Sequence, residues 1–195
     1  MRTSSIERNT KETKIKMTLN LDGSGDAHIQ TGIGFMDHML ELLAFHGEFD
    51  LNVECQGDIQ VDSHHSVEDL GIVLGMCIKK ALGDKKGIVR YGQMSIPMDE
   101  AMVTTTLDLS GRPYLVYNAN LPMPILGNYE TEMTKEFFKA VSDQALITLH
   151  IRENYGENTH HIIEAMFKSF ARALKQAVSI DEKNKNKVVS SKGIL

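Results

Sequence analysis

Cysteine is scarce in this chain, positive charge is in deficit, and no apolar stretch is long. Each absence closes off a class of answer. The two cysteines, Cys55 and Cys77, sit in apolar surroundings without CxxC spacing, which leaves no disulfide framework and fits a reduced, cytoplasmic setting. Lys and Arg total 21 against 26 Asp and Glu, a formal charge of −5. That balance provides no basic stripe for a nucleic-acid backbone. Apolar runs are broken every few residues, far short of the roughly 20 needed to span a bilayer, so no membrane partner is expected. The opening MRTSSIERNTKETK has no apolar stretch of the kind a secretory signal carries. What remains is a chain of 195 residues, 42% hydrophobic and 24% charged. It is long enough for one substantial core, or for two small halves that share one.

Two stretches are written nearly alike: VDSHHSVEDL, Val61 to Leu70, and ENTHHIIEAM, Glu157 to Met166. Placing His65 on His161, an offset of 96, puts Glu68 on Glu164, Lys79 on Lys175 and Ala81 on Ala177. Upstream, EFDLNVECQ falls on QALITLHIR, and both alternate as strands do. Further back the offset becomes 88, where MTLNLDG (Met17 to Gly23) falls on TTLDLSG (Thr105 to Gly111). The longer loop RPYLVYNANLPMPILGN absorbs the difference. The chain therefore reads as one domain, residues 1–195, built of two repeats at about 1–87 and 88–195.

Period-two alternation predicts strands over residues 14–21 and 48–55. Helical spacing predicts helices over 35–45 and 66–82, the second closed by Gly83. The second half predicts strands at about 88–96 and 101–109, a helix through TKEFFKAVSDQA and a strand at LITLHIR. THHIIEAMFKSFARALKQAV is the longest helical pattern. Two such units imply an α+β fold, internally duplicated: two-layer halves, each a mixed β-sheet with two helices on one face, packed as a pseudo-symmetric pair.

On a helix, positions i and i+3 or i+4 share a face, while neighbours point about 100° apart. His64 and Glu68 are therefore paired at i,i+4 and His65 and Glu68 at i,i+3, and His160, His161 and Glu164 repeat the arrangement. Adjacent imidazoles suit two separate ions better than one. Imidazole and carboxylate donors without cysteine favour a borderline or hard divalent ion, with manganese, iron, cobalt and zinc all open. A single HHxxE is as easily a helix start whose polar groups face solvent. Its recurrence at the matching point of a repeat is what argues for metal. A pseudo-twofold relation would let a histidine of one repeat join a histidine and a glutamate of the other.

The other candidates carry weaker signals. His38, in GIGFMDHMLE, has Asp37 beside it to orient its second nitrogen. His46 lies near a helix C-terminus, where a positive charge is favoured; His150 alternates within a strand and His28 follows a turn. GSGDAHIQTGIGF lacks the Lys-Ser/Thr ending of a phosphate-gripping loop, which removes nucleotide binding. Arg90 and Arg112 by themselves read as solvated surface. The final VVSSKGIL offers hydroxyls, a lysine and backbone N–H groups suited to a phosphate.

Taken together, ERNTKET, GIGFMDHML, DSHHSVEDLGI, KGIVRYG, PMDEA, DLSGRPYLVY, GENTHHIIEAMFKSFARAL and SSKGIL, spread over residues 7–195, closely resemble one family. It is imidazoleglycerol-phosphate dehydratase, the dehydratase of histidine biosynthesis. The resemblance implies a lyase with a duplicated α+β fold and no fused phosphatase domain. It also implies a homo-oligomeric shell of 24 subunits when manganese is bound, with active sites at subunit interfaces. Two manganese ions per subunit would be held by His38, His64, His65, Glu68, His160, His161 and Glu164. Glu136 of TKEFF would be an eighth ligand, where some relatives place a histidine. Glu12 of KET is implied as the substrate-handling proton carrier, with Glu164 and His65 beside it in the catalytic set. Arg90, Arg112, Ser190 and Lys192 are implied as the phosphate clamp.

The implied reaction turns D-erythro-imidazoleglycerol phosphate into imidazoleacetol phosphate. No carbonyl acidifies the carbon 2 proton, so a carboxylate base alone faces a poor acid. Two metal ions on the ring nitrogens would stabilise an imidazolate. Its electron density expels the carbon 3 hydroxyl and leaves a diazafulvene; loss of the carbon 2 proton then gives an enol that ketonises. Two other readings compete. A dinuclear metallohydrolase with a bridging hydroxide would release inorganic phosphate. A metal-storing or structural shell would leave Glu12, Arg90 and Lys192 without a job.

Overall fold

The computed structural model describes residues 1–193 and 195; Ile194, in the VVSSKGIL tail offered to a phosphate, lies outside them. Thr3–Asn9 (β1) and Thr13–Asn20 (β2) form an antiparallel hairpin that turns Ile15, Met17 and Leu19 inward. Ala27–Gln30 (β3), the helix Gly34–Gly47 (α1), Asp50–Gly57 (β4) and the helix His64–Leu82 (α2) complete the first repeat. Its sheet runs β1-β2-β4-β3, with β3 parallel to β4 and the other pairs antiparallel.

The second repeat follows the same plan. Tyr91–Met98 (β5), Ala101–Asp108 (β6) and Tyr114–Asn118 (β7) come first. A small ribbon, Ile125–Leu126 (β8) with Tyr129–Glu130 (β9), interrupts before the helix Met133–Ala145 (α3). Thr148–Tyr155 (β10) and the helix Thr159–Val178 (α4) follow. The sheet runs β5-β6-β10-β7, again with one parallel pair, β7 on β10. The expected duplicated α+β architecture is therefore observed. Alternation does not foretell β1, β3 and β7, which all lie at sheet edges and whose inward positions are mostly only half-buried.

Strand register refines the repeat. Leu19 faces Leu51 in the first sheet and Leu107 faces Leu149 in the second. β4 thus maps onto β10 at an offset of 98, not the 96 that fits the second helices. A slip of two residues keeps every side chain on its own face, so the alternating pattern alone could not reveal it. The same offset of 98 relates the ends of α1 and α3, which stop at left-handed residues, Glu48 (φ 54°) and Leu146 (φ 55°).

Helices pack across the repeat boundary, α1 on α4 and α2 on α3. Gly71 and Gly75 let α2 approach α3 closely. An ideal Cβ there would lie 2.6 Å from the Phe137 carbonyl oxygen and 2.8 Å from that of Val141. Phe137, Phe138, Phe167 and Phe170 fill the neighbouring core with ring centroids 5.0 to 5.4 Å apart. Each buried ring contributes roughly 1.5–3 kcal/mol by its removal from water. This rigid packing sets α1 against the first turns of α4. Cys55 and Cys77 are buried in the core, and burial pushes the Cys55 thiol up to about 11. Among the described residues no helix is long and apolar enough to cross a membrane.

Candidate metal centre

The α1–α4 contact brings His38 of the first repeat against His160 and Glu164 of the second. Glu164 Oε2 lies 3.2 Å from His160 Nε2 and 3.6 Å from His38 Nε2. Its Oε1 is held by Lys168 Nζ at 2.6 Å. One ligand atom from each of His38, His160 and Glu164 falls within 4.8 Å of the others. Donors in adjacent positions around one ion stand about 3 Å apart at bond lengths of roughly 2.1 Å, so the spacing fits. Burial pushes the Glu164 carboxyl up, but Lys168, then His38 and His160, bring it to a net value below the usual range. It is therefore an anion facing two imidazoles, a donor set suited to a first-row divalent ion with positions left open. Asn158 fixes the phase of α4 by accepting the N–H groups of His160 and His161 at 2.9 and 3.4 Å.

The first-repeat pair is laid out likewise, with His64 Nε2 3.7 Å from Glu68 Oε2. Among the described residues, the third donor expected there does not join it. Glu136 holds on α3 the place that His38 holds on α1, at the offset of 98, but stands half-buried outside the three-donor group. Asp37 differs from expectation too. Its carboxylate accepts from the Thr31 N–H and hydroxyl, bracing the start of α1 instead of His38. His46 is pushed toward its neutral form, by burial first and then by Lys168 and Arg172, which outweighs the helix C-terminus.

The second histidine of each pair turns away from the first, with ring centroids 6.2 Å apart in both pairs. His65 Nδ1 lies 3.0 Å from Asp58 Oδ2, and its Nε2 3.8 Å from Glu12 Oε1. His161 Nδ1 lies 2.6 Å from Glu100 Oε2, and its Nε2 3.7 Å from Asp99 Oδ2. A helix N-terminus disfavours a positive imidazole, yet the carboxylates win. The bonds to Asp58 and Glu100 raise the pKa of His65 and His161. Glu100 is held down to about 2, by His161 first and then by the Asn158 N–H. A carboxylate at Nδ1 keeps the ring proton there and leaves the Nε2 lone pair outward, the tautomer a metal ligand needs. Sequence reasoning missed Asp58, Asp99, Glu100 and Lys168. Two had a signal: Lys168 is one helical turn beyond Glu164, and the offset of 88 sets Glu100 on Glu12.

The phosphate candidates gather around the tail. Arg90 Nε and Nη2 grip Asp108 at 2.7 and 3.0 Å, and Nη1 reaches the Val189 carbonyl at 2.6 Å. Ser190 Oγ accepts the Lys192 N–H at 3.2 Å. Arg112 is exposed and follows Gly111, whose ideal Cβ would lie 2.9 Å from the Leu195 carbonyl carbon. The Arg90 N–H bonds the Ala177 carbonyl, at the far end of α4 from His160. At about 1.5 Å per residue these points are roughly 25 Å apart. The His160–Glu164 end of α4 thus lies far from the end that Arg90 contacts. A cleft of about 530 Å³, lined by Lys16, His28, Glu41 and Glu54 among others, includes none of them.

The family model described as imidazoleglycerol-phosphate dehydratase matches residues 31–174. The imidazoleglycerol-phosphate dehydratase of Lactococcus lactis subsp. cremoris (strain SK11) is 61% identical over 199 residues, covering 100% of this chain and 98% of the relative. That of Acetivibrio thermocellus is 57% identical, covering 97% of each. The crystal structure of imidazoleglycerol-phosphate dehydratase from Staphylococcus aureus subsp. aureus N315 superposes with a TM-score of 0.84 at 44% identity, over 92% of this chain and 99% of the other. IGPD from Pyrococcus furiosus, in complex with (S)-C348, gives a TM-score of 0.83 at 33% identity, over 97% and 100%.

Proposed function

The chain belongs to the imidazoleglycerol-phosphate dehydratase family and is a lyase of histidine biosynthesis; from that premise we propose how its residues do the work. The substrate is D-erythro-imidazoleglycerol phosphate, a small phosphorylated imidazole, and the product imidazoleacetol phosphate. The setting is the cytoplasm. Residues 1–195 act as one dehydratase domain of two repeats, 1–87 and 88–195, within a homo-oligomeric shell of 24 subunits.

Two manganese ions per subunit are the cofactor in this reading. His38, His64, His65, Glu68, Glu136, His160, His161 and Glu164 would hold them. The three-donor geometry around Glu164 supports this, and the placement of Glu136 as counterpart of His38 supports its inclusion. When bound, manganese would supply Lewis acidity toward the substrate's imidazole, the chemistry that expulsion of the carbon 3 hydroxyl calls for.

The chain's own residues do the rest. Glu12, exposed at its hairpin tip with Oε1 3.8 Å from His65 Nε2, takes the carbon 2 proton and returns one as the enol ketonises. Lys168 keeps one Glu164 oxygen engaged, so the other stays directed at the histidines. Arg90, Arg112, Ser190 and Lys192 hold the phosphate and so orient the reacting carbons. Arg90 turns toward it the N–H groups that Asp108 and the Val189 carbonyl leave unused. One imidazole, three carbons and a phosphate cannot bridge the roughly 25 Å of α4 between the two groups. That supports a site completed by a second copy of the chain.

The observation that carries this reading is the His38–His160–Glu164 cluster in a member of this family. The test is turnover of imidazoleglycerol phosphate by chelator-stripped protein titrated with manganese, with metal analysis and light scattering on the same sample. Activity reaching a plateau near two ions per chain as a large particle forms is the expected result. Particle formation without turnover would reduce the histidines to staples, and release of inorganic phosphate would make the protein a hydrolase.

A further inference from the structure

Asp69 is a buried carboxylate with no part in the chemistry above. It lies one turn beyond His65 on α2 and is 8% exposed. Its Oδ2 accepts from Arg8 Nη1 at 2.5 Å and from the buried Thr13 hydroxyl. Thr13 closes the β1–β2 turn. The Thr10 N–H donates to the Thr13 carbonyl at 2.8 Å, and Thr10 Oγ1 accepts from the N–H groups of Thr13 and Glu12 at 2.9 and 3.1 Å. The Glu12 carbonyl accepts the Asp58 N–H at 3.1 Å, and Asp58 is the carboxylate on His65 Nδ1. Asp58 thus ties the Glu12 backbone to His65 through two hydrogen bonds, and Asp69 anchors the same turn to α2.

The second repeat shows that the fold does not require this anchor. Strand register sets Arg8 on Ile96 and Thr13 on Ala101, and the helices set Asp69 on Ala165. Neighbouring glycines agree: Gly57 abuts Ser66 and Thr13, while Gly156 abuts Ile162 and Ala101. Three polar residues in one repeat are apolar in the other, on the same scaffold. Buried ion pairs are a weak source of stability, often matched by apolar packing of similar volume. What a charge-assisted bond adds is direction. We infer, resting on the role given to Glu12 above, that Arg8, Thr13 and Asp69 are positioning residues that fix the Glu12 hairpin against α2.

The test copies the second repeat into the first, as Arg8→Ile/Thr13→Ala/Asp69→Ala in the manganese-loaded protein, with Thr13→Val as a milder single variant. The thermal midpoint and metal content should match the parent. Amide exchange at Glu12 and Thr13 should quicken, and kcat should fall roughly 10- to 100-fold with KM within about twofold. Added to Glu12→Gln, the triple change should cost nothing further. Parental exchange at Glu12 and Thr13 overturns the inference. So does faster exchange with parental kcat where Glu12→Gln is itself impaired. If the triple variant does not fold, Thr13→Val decides by the same readouts. If Glu12→Gln alone keeps parental turnover, the role of Glu12 fails, and the exchange rates still judge the anchor.

Discussion

The β1–β2 and β5–β6 hairpins occupy the same place in two copies of one scaffold, and each presents a glutamate to the second histidine of an HH pair. Glu100 is fully engaged. Its Oε2 meets His161 Nδ1 at 2.6 Å, and its Oε1 accepts the N–H groups of Asn158 and Glu157 at 2.7 and 3.3 Å. Glu12 stands 3.8 Å from His65 Nε2 with its side chain 54% exposed. In the first repeat the Nδ1 partner is Asp58, supplied by the turn that follows β4. A carboxylate held near 2 by three donors is a poor base, whereas one relieved of that duty can carry a proton. Duplication provides two equivalent carboxylates, and moving the orienting task to Asp58 leaves one of them free.

The two HH pairs, in contrast, should fail alike. His160→Ala and its counterpart His64→Ala are each expected to lose bound manganese and turnover together and to weaken assembly. The loss should exceed the roughly 10- to 100-fold cost of removing a group that only supports a ligand. Metal analysis and turnover on the same preparations check this. A His64→Ala protein with two manganese per chain and parental activity would confine the metal to the second-repeat cluster and end the symmetric account.

The hairpin glutamates should then diverge. Glu12→Gln is expected to lower kcat by about 10²-fold or more with metal content unchanged, the scale of a lost acid–base group. Glu100→Gln should instead weaken manganese retention by about tenfold, and saturating manganese should restore most of its kcat. Equal responses from the two variants would erase the division of labour. Smaller again is Lys192→Ala. Acting through phosphate binding, it should raise KM about tenfold and leave kcat within a factor of a few, read from steady-state kinetics.

The HHxxE pairs and their helices were legible because i,i+4 spacing is a local property, and β2, β4, β6 and β10 because their alternation is strong. Edge strands β1, β3 and β7 were not, since their inward positions are mostly only half-buried and need no strongly apolar residues. That His38 meets Glu164 depends on α1 lying against α4, which no window of sequence contains. The same holds for Asp58 and Glu100, acidic residues in turns beside which only the fold sets a histidine. Glu136 was carried by the family resemblance, and the α1–α3 correspondence gives it an independent reason. Asp69 went unremarked beside Glu68, because its meaning lies in the contrast with Ala165.

The smallest contrast lies where β2 and β6 end, at Asp22 and its counterpart Ser110. The Asp22 carboxylate accepts the Arg2 N–H at 2.7 Å and Arg2 Nε at 3.0 Å. Arg2 also donates to the Val178 carbonyl, tying the first strand to the end of α4. Among the described residues, Ser110 bonds its own turn and Thr148. Arg2 holds the Asp22 carboxyl below its usual 3.8. A folded-state value below the unfolded one stabilises above about pH 4, and that contribution is lost as pH falls through the folded value. The Asp22 side chain is 36% exposed, so screening limits the pair to a few tenths of a kcal/mol. Asp22→Asn should therefore lower the thermal midpoint by about 1–2 °C near neutral pH, and the gap should close in strong acid. Thermal unfolding across pH reads it directly. A gap that persists below pH 3 would mean that the tie works through packing of the Arg2 stem and not through charge, and that the two strand ends differ in shape alone.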